Sequence, residues 1–101
     1  MATKRIYTSA EVFRKYGPLT FAKTIWSWRL CEEMSQKTFA KKLGISPANL
    51  CDLEKGRKIP SPKRAATIAR KLGLSEALLV QLALQDQLRA CKLSYKVSLA
   101  A

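Results

Sequence analysis

The chain has 101 residues, which is enough for one compact domain with its own hydrophobic core. Apolar residues make up 48% of the sequence and charged residues 26%, a balance that excludes an intrinsically disordered chain. The formal net charge of +12 favours an anionic partner, although a lysine-rich surface without a specific partner is the alternative.

The residue types that catalysis and metal binding require are scarce. The chain has no histidine, no phosphate-binding glycine loop and no cluster of carboxylates, so we expect no enzyme, no cofactor and no metal site. Its cysteines, Cys31, Cys51 and Cys91, are odd in number and far apart, a pattern that indicates neither a disulfide framework nor a zinc site and favours a reducing compartment. Because no signal peptide and no long apolar run is evident, we expect a cytoplasmic protein without membrane contact.

Residues 1–19 mix basic and apolar side chains ahead of the first strong helix signal. A short helix over residues 9–16, ended by Gly17 and Pro18, is one interpretation of this arm. The arm either packs on the core or lies along DNA as a basic extension. The predicted divisions of the chain are an N-terminal arm over residues 1–19, a domain over residues 20–90 and a tail over residues 91–101.

Five helices are predicted between the arm and the tail. Serine is followed by proline at 46–47 and again at 61–62, which is typical of a helix start because serine caps the first turn and proline is pre-shaped for it. Gly44, Gly56 and Gly73 follow apolar-periodic segments, where a left-handed residue ends a helix. The predicted helices cover residues 20–32, 35–43, 47–55, 62–72 and 76–90.

The fifth predicted helix carries more leucine than one buried face needs, which indicates either a homodimer surface or a helix buried entirely within the domain. Beyond it, residues 93–99 alternate apolar and polar side chains, which predicts a short strand. The partner of this strand is open: a symmetry mate, the N-terminal arm or the edge of another protein, with a frayed tail as the alternative. The residues predicted to contact a dimer mate or partner are Leu79, Leu82, Tyr95 and Val97.

The stretch from Met34 to Gly56 is the most informative about function. Two short predicted helices flank a tight glycine turn, and a small alanine in the first helix lets the two helices cross closely. The face of the second helix that does not pack on the first is free to meet a ligand. The side chains that form the inward faces of the pair are Phe39, Ala40, Leu43, Leu50 and Leu53.

This stretch resembles the helix-turn-helix domains of the lambda repressor and Cro type, the XRE family, and the similarity extends over residues 20–88. The features that carry it are the Ser-Gln start, the alanine, the glycine turn, the Glu-Lys-Gly sequence and the Ser-Pro helix that follows. The resemblance implies an all-α, five-helix lambda-repressor-like DNA-binding domain, here with an N-terminal extension and a short C-terminal strand. It also implies a scaffold ion pair between Arg29 and Glu54.

In such domains the second motif helix, the recognition helix, presents its early residues to base edges in the major groove. The resemblance assigns that position to Ser46, Pro47, Ala48, Asn49 and Asp52. Asn49 suits a bidentate contact with adenine, Ala48 a thymine methyl and Asp52 the amino group of cytosine. Pro47 and Ala48 replace the long polar residues often found in the family, so DNA shape is expected to contribute to recognition.

Basic side chains flank the predicted recognition helix, with Arg57, Lys58 and Arg64 falling where the family contacts the phosphate backbone. The resemblance also places Gln36, at a helix N-terminus, against phosphate. A solvated charged face is the alternative. The predicted backbone contacts are Gln36, Lys37, Lys55, Arg57, Lys58 and Lys63.

These features predict a sequence-specific regulator that binds double-stranded DNA, a repressor that acts on its operator as a homodimer. We expect it in the cytoplasm, on the nucleoid when bound to DNA. One alternative is an antitoxin that neutralises a cognate toxin protein and represses its own operon. A protein-binding or RNA-binding module of the same fold is a third possibility.

Overall fold

The computed structural model describes residues 19–98, and these form five α-helices joined by short turns. The predicted all-α fold is confirmed, and each helix begins and ends within about a residue of its predicted bounds. The predicted short helix over residues 9–16 lies outside the described residues. The helices are α1 (Phe21–Cys31), α2 (Gln36–Leu43), α3 (Pro47–Glu54), α4 (Pro62–Leu72) and α5 (Glu76–Ala90).

Every one of these five helices begins with the same device, a hydroxyl side chain at the N-cap. The hydroxyl accepts a hydrogen bond from the backbone N–H three residues further on, which satisfies one of the free donors of the first turn. In α3 and α4 the next residue is proline, whose missing N–H costs nothing at that position. The capping residues are Thr20, Ser35, Ser46, Ser61 and Ser75.

The C-terminal ends of α2 and α4 are closed by glycines in the left-handed conformation, Gly44 at φ 71° and Gly73 at φ 70°. At α2 the chain reverses so that the Ile45 N–H donates to the Ala40 carbonyl at 3.0 Å. This pairing satisfies a carbonyl that the helix itself leaves free and turns the chain sharply toward α3. The turn therefore sets the angle between the two helices.

One hydrophobic core runs through all five helices, and the most extensive pairing is between α4 and α5. The predicted partner contacts Leu79 and Leu82 belong to this core, since they are 0% and 8% exposed. They belong to the domain interior rather than to a partner surface, because α4 covers the leucine-rich face of α5. The core residues are Phe21, Ile25, Phe39, Ala40, Leu43, Leu50, Leu53, Ala65, Ile68, Ala69, Leu72, Leu79, Leu82 and Ala83.

Helix α1 is held to the rest of the domain at both ends. The Asp86 carboxylate of α5 accepts a hydrogen bond of 3.0 Å from the Phe21 N–H, at the positive end of the α1 dipole. Further along α1, the Trp28 ring stacks on Phe39 with a centroid separation of 5.4 Å. Within residues 19–98, no helix combines the length and the apolar character needed to cross a bilayer.

The predicted C-terminal strand does not form within residues 91–98. That segment instead runs back along α5, where the side chains of Gln81 and Gln85 bond to the backbone of Tyr95 and Val97. Within the described residues 19–98 no strand is available to pair with the tail, so two glutamine amides take the place of the neighbouring strand that a sheet would need. The period-two pattern correctly marks an extended tail but not a sheet.

Candidate nucleic-acid interface

Helices α2 and α3 pack against each other across the turn at residues 44–46, with Phe39 and Ala40 facing Leu50 and Leu53 in the core. A contact from α4 fixes the turn, because the Lys71 ammonium donates to the Leu43 carbonyl at 2.9 Å. The last turn of α2 is therefore tied to a third helix. The arrangement holds α3 with its opposite face toward solvent.

The solvent face of α3 carries the side chains predicted to read bases. Pro47 and Ala48 are exposed, while Asn49 and Asp52 are half-buried beside the loop that follows the helix. The Ser46 hydroxyl accepts a hydrogen bond from the Asn49 N–H at 3.1 Å, so its oxygen caps α3. The surface at the start of α3 therefore bears short side chains, with Asn49 as its main polar group.

The loop after α3 is folded back onto Asp52. The Asp52 carbonyl accepts from the Arg57 N–H at 2.9 Å, and its carboxylate lies 3.3 Å from the Arg57 guanidinium and 3.5 Å from the Lys58 ammonium. The Lys58 ammonium also donates to the Asn49 side-chain oxygen at 3.3 Å. Two cations are thus held beside the α3 surface, on side chains that remain 57% and 60% exposed.

Arg29 and Glu54 form the pair that the resemblance implies. Arg29 Nε donates to Glu54 Oε2 at 2.7 Å and Arg29 Nη2 donates to Oε1 at 3.1 Å, a two-bond geometry. Only 13% of the arginine side chain and 3% of the glutamate side chain are exposed. A further Arg29 nitrogen donates to the Met34 carbonyl at 3.0 Å. The pair therefore joins the end of α3 to α1 and to the segment that leads into α2.

Gln36, predicted to contact phosphate, is half-buried and donates from Nε2 to Glu54 Oε1 at 2.9 Å. Its side chain is thereby fixed at the N-terminus of α2, with a second N–H on the same nitrogen left for a ligand. The other predicted backbone contacts, Lys37, Lys55, Arg57, Lys58 and Lys63, are all exposed. Arg64 lines a shallow recess with Asn49 and Lys58, so these polar groups of α3, the loop and α4 converge.

Two charged residues with structural roles could not be found from the sequence. Lys71 reaches the α2 carbonyl from 28 residues away and Asp86 reaches the α1 N–H from 65 residues away. No local spacing carries such a signal. Asp86 also lines an open recess with Lys58 and Ile59, and its partial burial raises the pKa of its carboxyl group, while the Phe21 N–H and the nearby Arg89 charge lower it.

The five-helix fold, the turn between α2 and α3 and the basic loop together define a helix-turn-helix domain. Residues 29–79 match the helix-turn-helix family model, which covers just over half of the chain. The chain therefore belongs to the helix-turn-helix family of the XRE type, and it is a DNA-binding regulator of that type rather than a member of an enzyme family. No curated protein and no solved structure matches it.

Proposed function

We propose that the protein is a dimeric repressor that reads a specific duplex sequence by placing α3 in the major groove. The observation that carries this proposal is the pairing of a small, exposed α3 surface with a basic loop that is anchored to the same helix through Asp52. A helix that bears both an open face and flanking cations fits a groove lined by phosphates. The protein acts on its operator in the cytoplasm.

Asn49 is the side chain assigned to read bases by hydrogen bonds. Its amide is the only polar group among the first three residues of α3, and an asparagine amide matches the N6 and N7 pattern of adenine. Lys58 donates to the same amide in the free protein, so DNA binding exchanges that bond for one to a base while the lysine turns to a phosphate. The exposed Ala48 methyl contributes a contact of the kind that thymine favours.

Asp52 has a different role in this proposal from the cytosine contact that the sequence suggests. Each oxygen of its carboxylate already lies within 3.5 Å of a cation, Oδ1 beside Arg57 and Oδ2 beside Lys58, so the group is turned toward the loop rather than toward a base. We assign it to holding the loop, so that the two cations lie where the phosphate strand beside the groove passes. Ser46 and Pro47 set the start of the helix, and Gln36 with the N-terminus of α2 contacts the backbone.

Selection of preferred sequences from a random duplex pool tests this function. The wild-type protein is expected to enrich an inverted repeat with half-sites about one helical turn apart. Asn49→Ala is expected to lose the base preference at one position of each half-site, while the control Lys63→Ala weakens binding without changing the selected sequence. Enrichment of no sequence, or an unchanged sequence with Asn49→Ala, would contradict the proposal.

A further inference from the structure

Within residues 19–98, the tail that follows α5 forms hydrogen bonds along one of its two backbone edges. Gln85 accepts from the Val97 N–H at 2.8 Å and donates to the Tyr95 carbonyl at 2.9 Å, and Gln81 donates to the Val97 carbonyl at 3.0 Å. The bonded residues alternate with residues that are not bonded, as in an extended chain whose peptide groups point to opposite sides in turn. Helix α5 therefore supplies a ladder partner on one side of the tail.

The peptide groups of Ser94 and Lys96 belong to the other edge. They make no hydrogen bond within residues 19–98. An open edge of this kind is a template for pairing with another extended segment. The apolar side chains of the same segment are also uncovered, since Tyr95 is 70% exposed and Leu93 is 45% exposed.

The segment is complementary to itself in the antiparallel register centred on Tyr95. With Tyr95 opposite Tyr95 of a second copy, Leu93 lies opposite Val97 and Ser94 lies opposite Lys96. Ser94 and Lys96 then form the hydrogen-bonded pairs, while the apolar residues form the closer non-hydrogen-bonded pairs on one face. The register centred on Lys96 would instead place two ammonium groups directly opposite each other, which is unfavourable.

We infer that a second copy of this chain pairs antiparallel with the free edge of the tail, in the register that places Tyr95 opposite its symmetry mate. The interface is isologous, as a two-fold dimer requires, and it covers the apolar side chains that the single chain leaves exposed. A two-stranded ribbon is marginal by itself, but here each strand is bound to its own α5 through Gln81 and Gln85. This inference supplies the contact surface of the proposed dimeric repressor and rests on that proposal.

Removal of one free-edge donor tests the pairing. Lys96→Pro deletes an N–H that the α5 contact does not use, whereas the control Lys96→Thr removes the same charge and keeps the N–H. Sedimentation equilibrium of the full chain is expected to show a dimer for wild type and Lys96→Thr, and at least about tenfold weaker association for Lys96→Pro, because symmetry removes two hydrogen bonds. Unchanged helical circular dichroism in Lys96→Pro shows that α5 is intact.

Charge substitutions test the register. Tyr95→Glu is expected to weaken the dimer, because it places two carboxylates opposite each other at the two-fold axis. Ser94→Glu is expected to leave the dimer intact or tighten it, because each new carboxylate faces Lys96 of the second copy. Equal effects of the two substitutions would overturn the register.

A wild-type chain that is monomeric at micromolar concentration, or a Lys96→Pro variant that dimerises as wild type does, would overturn the inference. In the first case the open edge would be left for a different protein. Binding of Lys96→Pro to a single half-site separates this result from the proposed function, since loss of the dimer leaves half-site affinity unchanged. Failure of both proteins to prefer any duplex would count against the proposed function alone.

Discussion

At the scale of single residues, the Glu54 carboxylate is the most heavily bonded side-chain group beside the interface. It accepts two hydrogen bonds from Arg29 and one from Gln36, so three segments of the domain depend on one carboxylate. The pair lies largely out of water, and a lone charge left in such a place is costly. Its contribution is to hold α3 against α1 rather than to touch DNA.

Glu54→Ala is expected to lower the free energy of unfolding by about 3 kcal/mol, because it strands the Arg29 charge where only 13% of that side chain is exposed. Urea denaturation followed by circular dichroism measures the change. The matched control is Glu76→Ala, which breaks the surface pair with Arg70 and is expected to cost less than about 1 kcal/mol. Equal losses in the two variants would show that the Arg29 pair has no special role.

Asp86 gives the stability of the domain a pH dependence of predictable sign. Its folded pKa is raised above the ordinary value of 3.8, so the folded state keeps the proton after the unfolded chain has lost it. The free energy of unfolding contributed by this group therefore falls as pH rises from 3.8 through the folded pKa. Besides Arg89, the charged groups around the same recess are Lys23, Lys55, Lys58 and Glu54.

Asp86→Asn keeps an oxygen that accepts from the Phe21 N–H but does not titrate. We expect the stability of this variant relative to wild type to increase as pH rises from 3.8, because only wild type acquires a partly desolvated charge. Urea denaturation at a series of pH values measures the difference. A difference that stays constant or shrinks with pH would contradict the assignment.

At the scale of elements, all five helices of residues 19–98 end in one motif that is built with two kinds of residue. Gly44, Gly56 and Gly73 provide the left-handed position after α2, α3 and α4, whereas Glu33 and Lys92 occupy it after α1 and α5 at φ 54° and 59°. In each case the next N–H reaches back five residues to a helix carbonyl. Side chains other than glycine are strained at such angles, so two helix ends are weaker than they need be.

Introducing glycine at a left-handed helix end and removing it from another are expected to change the free energy of unfolding in opposite directions. Glu33→Gly should raise the free energy of unfolding by up to about 1 kcal/mol, because glycine relieves the left-handed strain. Gly44→Ala should lower it by about 1 kcal/mol or more, because the new Cβ is both strained and 3.3 Å from the Lys71 ammonium. Thermal and urea unfolding measure both changes. The same sign for both substitutions would contradict this account of the helix ends.

The helices are largely predictable from the sequence because their boundaries are determined by residues that are close together in the chain. Ser61 followed by Pro62 starts α4, and Gly73 ends it, without reference to any distant residue. The tail is not predictable in the same way. The alternation at residues 93–98 marks an extended chain. Whether that chain pairs with side chains of α5, such as Gln81, or with a neighbouring strand depends on tertiary packing.

The features of the candidate site also fall into those that the sequence predicts and those that depend on tertiary contacts. The exposure of Pro47 and Ala48 follows from the periodicity of α3, and the Arg29 pair follows from the family resemblance. The bond from Lys58 to Asn49 and the hold of Asp52 on the loop could not be predicted, because the direction of a glycine-containing loop is fixed by contacts that form only on folding.

At the scale of the whole molecule, the distribution of charge and the fold point to the same surface. The formal charge is +12, and basic side chains of α2, the loop after α3 and α4 are exposed around the α3 face. Charge of this kind attracts any duplex, with an affinity that falls steeply as salt is added. A specific regulator must add a preference that persists at high salt, and in the proposed function that preference comes from Asn49 and the α3 surface.

The most direct test is the affinity of the protein for a selected duplex and for a scrambled duplex of the same length, measured over a series of salt concentrations. We expect wild type to prefer the selected duplex by about a thousandfold or more at moderate salt. Asn49→Ala should lose much of that preference with an unchanged salt slope, whereas Lys63→Ala should weaken binding to both duplexes and reduce the slope by about one per subunit. Equal binding of wild type to both duplexes at every salt concentration would contradict the claim that α3 reads sequence.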